Sequence, residues 1–146
     1  MLDLTLAIAH HLLIFSLFGV LMVEFVMVRE GISGDTIRRI AAVDLWYGVI
    51  AVLILAVGFG RAVFAAKGWT YYEHNLCFWL KIAIFLLIAA VSIPPTVAFI
   101  RWRRSPTPPS SQAIQGVRRL LWIQLVLFAL LPTLAAAMAR GYGEFA

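Results

Sequence analysis

The fold class that this chain of 146 residues predicts is all-α: a polytopic membrane protein with four transmembrane helices in an antiparallel bundle. Three observations predict it. Apolar residue types make up 63% of the sequence, against roughly 45–50% in soluble domains. Mean hydropathy is +0.95. Four runs, at 5–28, 45–66, 76–100 and 118–139, each reach the roughly 20 residues that carry a helix across a bilayer core. What remains makes short connections, so residues 1–146 are expected to form a single membrane domain, with any function inside the bundle or at its mouths.

The first run has neither a basic leading segment nor an Ala-x-Ala-like cleavage site, and is read as a retained helix rather than a signal peptide. Within it Asp3, His10, Leu17 and Glu24 recur every seven residues, which places them on one stripe of a helix, while the adjacent His11 is turned about 100° away. Ionisable groups inside a span face the bundle or a wet cavity, because lipid exposure at the helix centre costs about 2.5–3.5 kcal/mol. His10 is therefore ranked ahead of His11 as the inward-facing imidazole.

The second run carries a stripe of Asp44, Tyr47, Ala51, Ile54, Gly58 and Arg61, with small residues where a neighbouring backbone can approach. In the third, Lys81, Phe85, Ile88, Ser92 and Pro95 share a side, and Pro94-Pro95 removes two backbone donors, which predicts a bend near the inner end. "RSPTPPSS" opens a flexible cytoplasmic linker over 104–112 and divides the chain into two helical hairpins. The fourth run offers Gln124, Phe128, Leu131, Ala135 and Met138.

The net charge of +5 does not point to nucleic acid. Arg29, Arg38 and Arg39 lie between the first two spans, and Arg101, Arg103, Arg104, Arg118 and Arg119 between the last two, where they set topology. Both loops are then cytoplasmic. Both termini and the middle loop are then expected on the opposite, outer side, which is the periplasmic side if the membrane is a bacterial inner membrane. The other four basic residues, Arg61, Lys67, Lys81 and Arg140, fall on the outer side, where cations should be few.

Stripe and depth together define two polar levels. The outer one gathers His10, His11, Arg61, Lys81, Met138 and Arg140, with His74 in the loop above. The inner one gathers Glu24, Asp44, Tyr47, Arg101 and Arg119, and there Glu24 and Asp44 are expected to pair with loop arginines. The five tryptophans, Trp46, Trp69, Trp79, Trp102 and Trp122, fall near membrane boundaries and read as an aromatic belt. The lone Cys77 allows no intrachain disulfide.

Imidazoles in an apolar four-helix pocket with cations at its rim suit a haem or porphyrin: neutral imidazole ligates iron, and Arg or Lys pairs with propionates. This reading assigns His10 or His11 as axial ligand, Arg61, Lys81 and Arg140 to carboxylates, and Tyr47 to the cofactor contacts. A second axial ligand comes from His74, Met138 or nowhere. Two readings from other classes stand beside it. One is a copper-handling or transport component using His10, His11, His74, Cys77 and Met138. The other is a structural or assembly factor without cofactor. In each case a second copy of the chain can pack on the Gly48, Ala51 and Gly58 face.

The segments "AIAHHLLIF", "DLWYGVIAVLILAVGFGR", "GWTYYEHNLCFWLK", "IPPTVAFIRW" and "RRLLWIQLVLFALLPTLAAAMARG" resemble, over nearly the whole chain, a bacterial family of predicted four-helix inner-membrane proteins of unknown function. More distantly, the early histidine, the Gly-Arg closing the second region and the aromatic-x-Lys in "FWLK" resemble HemJ-type protoporphyrinogen oxidases. The layout is also similar to the membrane portion of CopD-like copper-handling proteins. The HemJ-like resemblance implies haem b as cofactor, the histidine role at His10 or His11, the lysine role at Lys81, and oxidation of a porphyrinogen or electron transfer into the quinone pool.

Overall fold

The computed structural model describes residues 2–64 and 68–145; Lys67 and the side chain of Asp3 lie outside the described residues. The chain forms α1 (Leu2–Met27), α2 (Gly34–Phe64), the short α3 (Gly68–Glu73), α4 (Leu76–Arg104) and α5 (Ser111–Ala139). There is no strand among the described residues. Four of the helices, all but α3, are long and apolar enough to cross a membrane.

Two helices begin well before their apolar runs. In α2 the segment "GDTIRRIAAV" continues the helix inward because Ile37 and Ile40 keep the buried stripe while Arg38 and Arg39 take the exposed side. Ser33 accepts from the Thr36 N–H at 3.3 Å ahead of the first turn. In α5, Ile114 and Val117 extend the stripe in the same way and the Ser110 side chain caps the Ala113 N–H. The break between α4 and α5 is thus shorter than the Pro/Ser segment suggested. α4 itself runs unbroken through Pro94 and Pro95.

Around the bundle the order is α1, α2, α4, α5. α1 with α2 and α4 with α5 are the tightly packed hairpins, and α2–α4 and α1–α5 are looser faces. Outward positions such as Phe15, Val52, Leu86 and Val126 are exposed and apolar, as a lipid solvent requires. Inward, Leu17, Leu21, Ile54, Phe85, Ile88 and Phe128 form the middle of the buried core. Four of the five tryptophans are exposed as a belt requires, but Trp102 is not. It is 9% exposed and packs edge-on against Phe99, at 5.7 Å between ring centres, because its position on α4 faces the bundle.

At the outer end α3 and the C-terminal segment close over the start of α4. Asn75 is fully buried; its side chain accepts from the Phe78 N–H, capping α4, and donates to the Tyr142 carbonyl at 3.3 Å. The Leu76 N–H donates to Gly143 O at 2.7 Å and the Phe145 N–H to His74 O at 3.0 Å. Gly143 is in the left-handed region, and a Cβ there would sit 2.8 Å from the Cys77 sulfur. Asn75→Ala removes the cap and the tail contact together, an expected loss of about 2 kcal/mol. Unfolding titrations in mixed micelles measure it, and a midpoint equal to wild type would show the tail to be undocked.

Candidate functional site

Paired contacts between antiparallel helices set the level of every polar side chain. His10 of α1 lies against Gly58 of α2, and Lys81 of α4 meets Met138 of α5. Further in, Asp44 of α2 bonds Thr96 of α4. Phe25 and Phe18 of α1 contact Trp122 and Phe128 of α5, which puts Gln124 beside Glu24 in height. His10 and Glu24, Gly58 and Asp44, and Met138 and Gln124 are each fourteen residues apart, and Lys81 and Thr96 fifteen. Fourteen residues are close to four helical turns, so both members of each pair lie on one face, separated by about 21 Å. Each spanning helix therefore contributes to two polar levels, one near each membrane surface, with the apolar middle between them.

At the outer level the two histidines separate. His11 is exposed on the lipid side and bonds the Ala7 carbonyl through Nδ1 at 2.7 Å. His10 turns inward, its ring roughly perpendicular to that of His11. An ideal Cβ on Gly58 would lie 3.2 Å from His10 Cε1 and 3.6 Å from Nδ1, so the glycine makes the slot that the ring occupies. His10 Nδ1 and Arg61 Nε are buried without a hydrogen-bond partner among the described residues. Arg61 and Lys81 lie within electrostatic reach of His10 and of each other. Lys81 Nζ reaches the Met138 sulfur at 3.5 Å. Four predicted members, His10, Arg61, Lys81 and Met138, thus converge from four helices.

Arg140 and His74 stand apart. Arg140 is exposed at the end of α5, where its backbone N–H closes the last turn on Ala137 and Met138 carbonyls. His74 is exposed, bonded to the Thr70 carbonyl at 2.9 Å and 3.6 Å from Glu73. Cys77 is buried beside Gly143. Among the described residues no three His, Cys, Asp or Glu side chains come together as a metal-binding group.

The inner level differs from the expectation. Tyr47 lies at this level, as its stripe predicted, and so away from the outer cofactor contacts to which it was also assigned: its hydroxyl crosses the bundle to donate to Gln124 Oε1 at 3.1 Å. Thr96 Oγ1 donates to Asp44 Oδ1 at 2.8 Å. The expected ion pairs of Glu24 and Asp44 with loop arginines do not form among the described residues. The inner arginines are spent elsewhere or lie outside: Arg118 donates to the Phe25 and Val28 carbonyls, Arg38 pairs with Asp35, and Arg101 and Arg119 are exposed. Glu24, only 2% exposed, keeps Oε1 without a partner, and Gln124, 1% exposed, keeps Nε2 so. Periodicity placed Gln124 on the inward face; its partnership with Tyr47 depends on cross-bundle register, which one helix's sequence does not carry. Tyr47→Phe is expected to cost about 1 kcal/mol, the scale of a hydrogen bond between membrane helices. The same micelle titration measures it, and a neutral result would mean that Gln124 finds another donor.

Ionisable side chains held inside an apolar four-helix bundle, with lipid-facing walls all round, define a multi-pass membrane protein. The chain belongs to the predicted membrane protein family DUF2214, whose model matches residues 2–143. No curated protein and no solved structure matches it.

Proposed function

We propose that the outer level binds haem b or a related porphyrin at the outer side of a bacterial inner membrane. The observation that carries this reading is the convergence of His10, Arg61 and Lys81, from three helices, with His10 Nδ1 and Arg61 Nε buried and unpartnered. The donor set fits the group. An imidazole ligates iron, and a guanidinium or an ammonium pairs with propionates. His10 would hold the iron, and Arg61 and Lys81 the propionates. Bound there, haem supplies one-electron chemistry. The protein's own part is to keep the imidazole oriented against Gly58 and to exclude water with the apolar layer below it.

A redox role for the same site is part of this proposal, supported by the HemJ-like pattern of an early histidine, at His10 or His11, Gly60-Arg61 and Lys81. The test is an absorption spectrum of protein purified in mild detergent from cells supplied with haem precursor, oxidised and then reduced with dithionite. The wild type and His11→Ala are expected to show a Soret band that shifts on reduction, and His10→Ala to lack it. A featureless wild-type spectrum overturns the reading.

A further inference from the structure

The outer level holds base without acid. Arg61 and Lys81 lie within electrostatic reach of each other and of His10. Arg61 Nε is buried without a hydrogen-bond partner among the described residues, and so is His10 Nδ1. Lys81 Nζ donates to the Met138 sulfur, a weak and uncharged acceptor, at 3.5 Å, and the Cys77 thiol lies within its reach. Among the described residues neither cation has a carboxylate within salt-bridge distance. Of the acidic residues at this end, Glu73 lies 3.6 Å from His74 and Glu144 is exposed in the tail; the side chain of Asp3 is outside the described residues. A guanidinium does not lose its proton inside a protein. A buried cation is costly unless it is paired, so the partner that completes this level carries negative charge and only accepts hydrogen bonds.

Depth decides which anion is at hand. Arg61 lies three residues before the end of α2 at Phe64, and Lys81 five residues into α4 from Leu76. These offsets are about 5 and 8 Å along the helix axes. A helix of 31 residues, such as α2, is about 46 Å long, against about 40–45 Å for a bilayer with its headgroups. The two cations therefore stand at the level of the outer lipid phosphates, with His10, eight residues into α1, beneath them. Arg140 is exposed at the end of α5, as a residue that snorkels to headgroups is. Arg61 Nε is buried, so its partner has to come to it. Basic pockets between transmembrane helices hold the heads of anionic lipids in this way. Donors arriving from three helices suit a tetrahedral phosphate, with oxygens on several sides, better than a planar carboxylate.

We propose that the outer level is a phosphate-binding site which, when no porphyrin occupies it, takes the head of an anionic phospholipid or a free phosphate. Arg61 and Lys81 pair with the phosphate oxygens, and His10 Nδ1, in its N–H form, offers a third donor. The inference rests on the geometry of the outer level rather than on haem, and a porphyrin carboxylate competes for the same two cations.

The test is calorimetric titration of the full-length protein, prepared without haem precursor and held in dodecyl maltoside. The probes are dihexanoylphosphatidylglycerol, an anionic phosphodiester; dihexanoylphosphatidylcholine, the same tails on a head of no net charge; and inorganic phosphate. Saturable binding of the glycerol lipid, at least about tenfold tighter than the choline lipid, is expected. Saturation by inorganic phosphate as well assigns a free phosphate, and a preference shown by the lipid alone assigns the headgroup. Arg61→Gln and Lys81→Gln are each expected to erase the preference, while Arg39→Gln, exposed at the other end of α2, keeps it. Unfolding midpoints check the fold: without anion Arg61→Gln is expected to unfold no earlier than wild type, because it removes an unpaired buried charge. The anionic lipid then stabilises wild type and Arg39→Gln but neither Arg61→Gln nor Lys81→Gln. Equal binding of the two lipids by wild type overturns the proposal, as does a preference that survives both substitutions or falls equally in Arg39→Gln. So does a preference that emerges only in Asp3→Asn, which would place the counter-ion on the chain itself. A missing Soret band leaves these results standing, so this proposal and the haem reading fail separately.

Discussion

Arg118→Met is expected to lower the stability of the bundle by about 3 kcal/mol, more than any other arginine substitution in the chain. Helix α1 ends at Met27; the Val28 N–H still donates to Glu24 O at 2.9 Å, and the carbonyls after it lack a helical donor. Arg118, reaching from α5, donates through Nη1 to Phe25 O at 3.1 Å and to Val28 O at 2.6 Å. Its guanidinium also stands 4.4 Å above the Phe25 ring, which in turn packs on Trp122. A hydrogen bond from a charged donor contributes about 1.5–3 kcal/mol and a cation–π contact about 0.5–2 kcal/mol. Methionine keeps some of the apolar stem and loses both, with water at the inner surface recovering part. The positive charge also complements the negative end of α1. Arg118→Lys is expected to recover less than half, because an ammonium lacks the planar group that stacks on Phe25 while reaching two carbonyls. Arg119→Met, on the exposed side of the same turn, is the control. Unfolding midpoints of the three variants in mixed micelles decide the matter. If Arg118→Met and Arg119→Met unfold together, the α1–α5 face is held by its apolar contacts alone.

Residue spacing made the spanning helices and their inward faces readable. Glu24, Leu17 and His10 recur every seven residues and are indeed buried or half-buried, as are Asp44, Tyr47 and Ile54 on α2 and Phe85 and Ile88 on α4. A burial stripe is a property of one helix, so one helix's sequence suffices to show it. Helix starts were less readable. The arginines of "DTIRRIAAV" lower hydropathy without interrupting the 3.6-residue pattern, and a search for apolar length stops where the helix does not. The six residues of α3 are too few to show a period at all.

Partner choice was the part that periodicity could not supply. A carboxyl near a loop rich in arginine suggests an ion pair, yet Asp44 meets Thr96, because the register between α2 and α4 brings those two to one height. Trp102 was placed by depth and belongs by angle to the core. The fourteen-residue spacing, from His10 to Glu24, from Gly58 to Asp44 and from Met138 to Gln124, was present in the sequence all along. It gains meaning only once antiparallel neighbours are known to hold these residues at two common levels. It then accounts for the separation of imidazole and cations from the acidic groups: an apolar layer including Leu17, Leu21, Ile54 and Phe85 lies between them.

Gly58→Val is expected to abolish the reducible Soret band while the bundle stays folded, which ties the outer site to the orientation of a single ring. A Cβ at this position would already lie 3.2 Å from His10 Cε1, closer than a relaxed contact, and a valine adds two methyl groups beyond it. The imidazole has to leave its slot, and with it the direction in which its nitrogens point. Overpacking of this kind costs roughly 1–3 kcal/mol, a loss that the unfolding midpoint registers whether or not a cofactor is bound. Gly58→Ala, which asks the ring to give only a few tenths of an ångström, is expected to lie between wild type and Gly58→Val. Gly60→Val supplies the control two residues on, where an added Cβ meets nothing within 4 Å. A graded loss of cofactor from wild type through Gly58→Ala to Gly58→Val, with Gly60→Val retaining it, follows if His10 holds the iron. If Gly58→Val is destabilised but keeps its full spectrum, the ring is displaced without consequence for the ligand, and the axial histidine has to be sought elsewhere than His10.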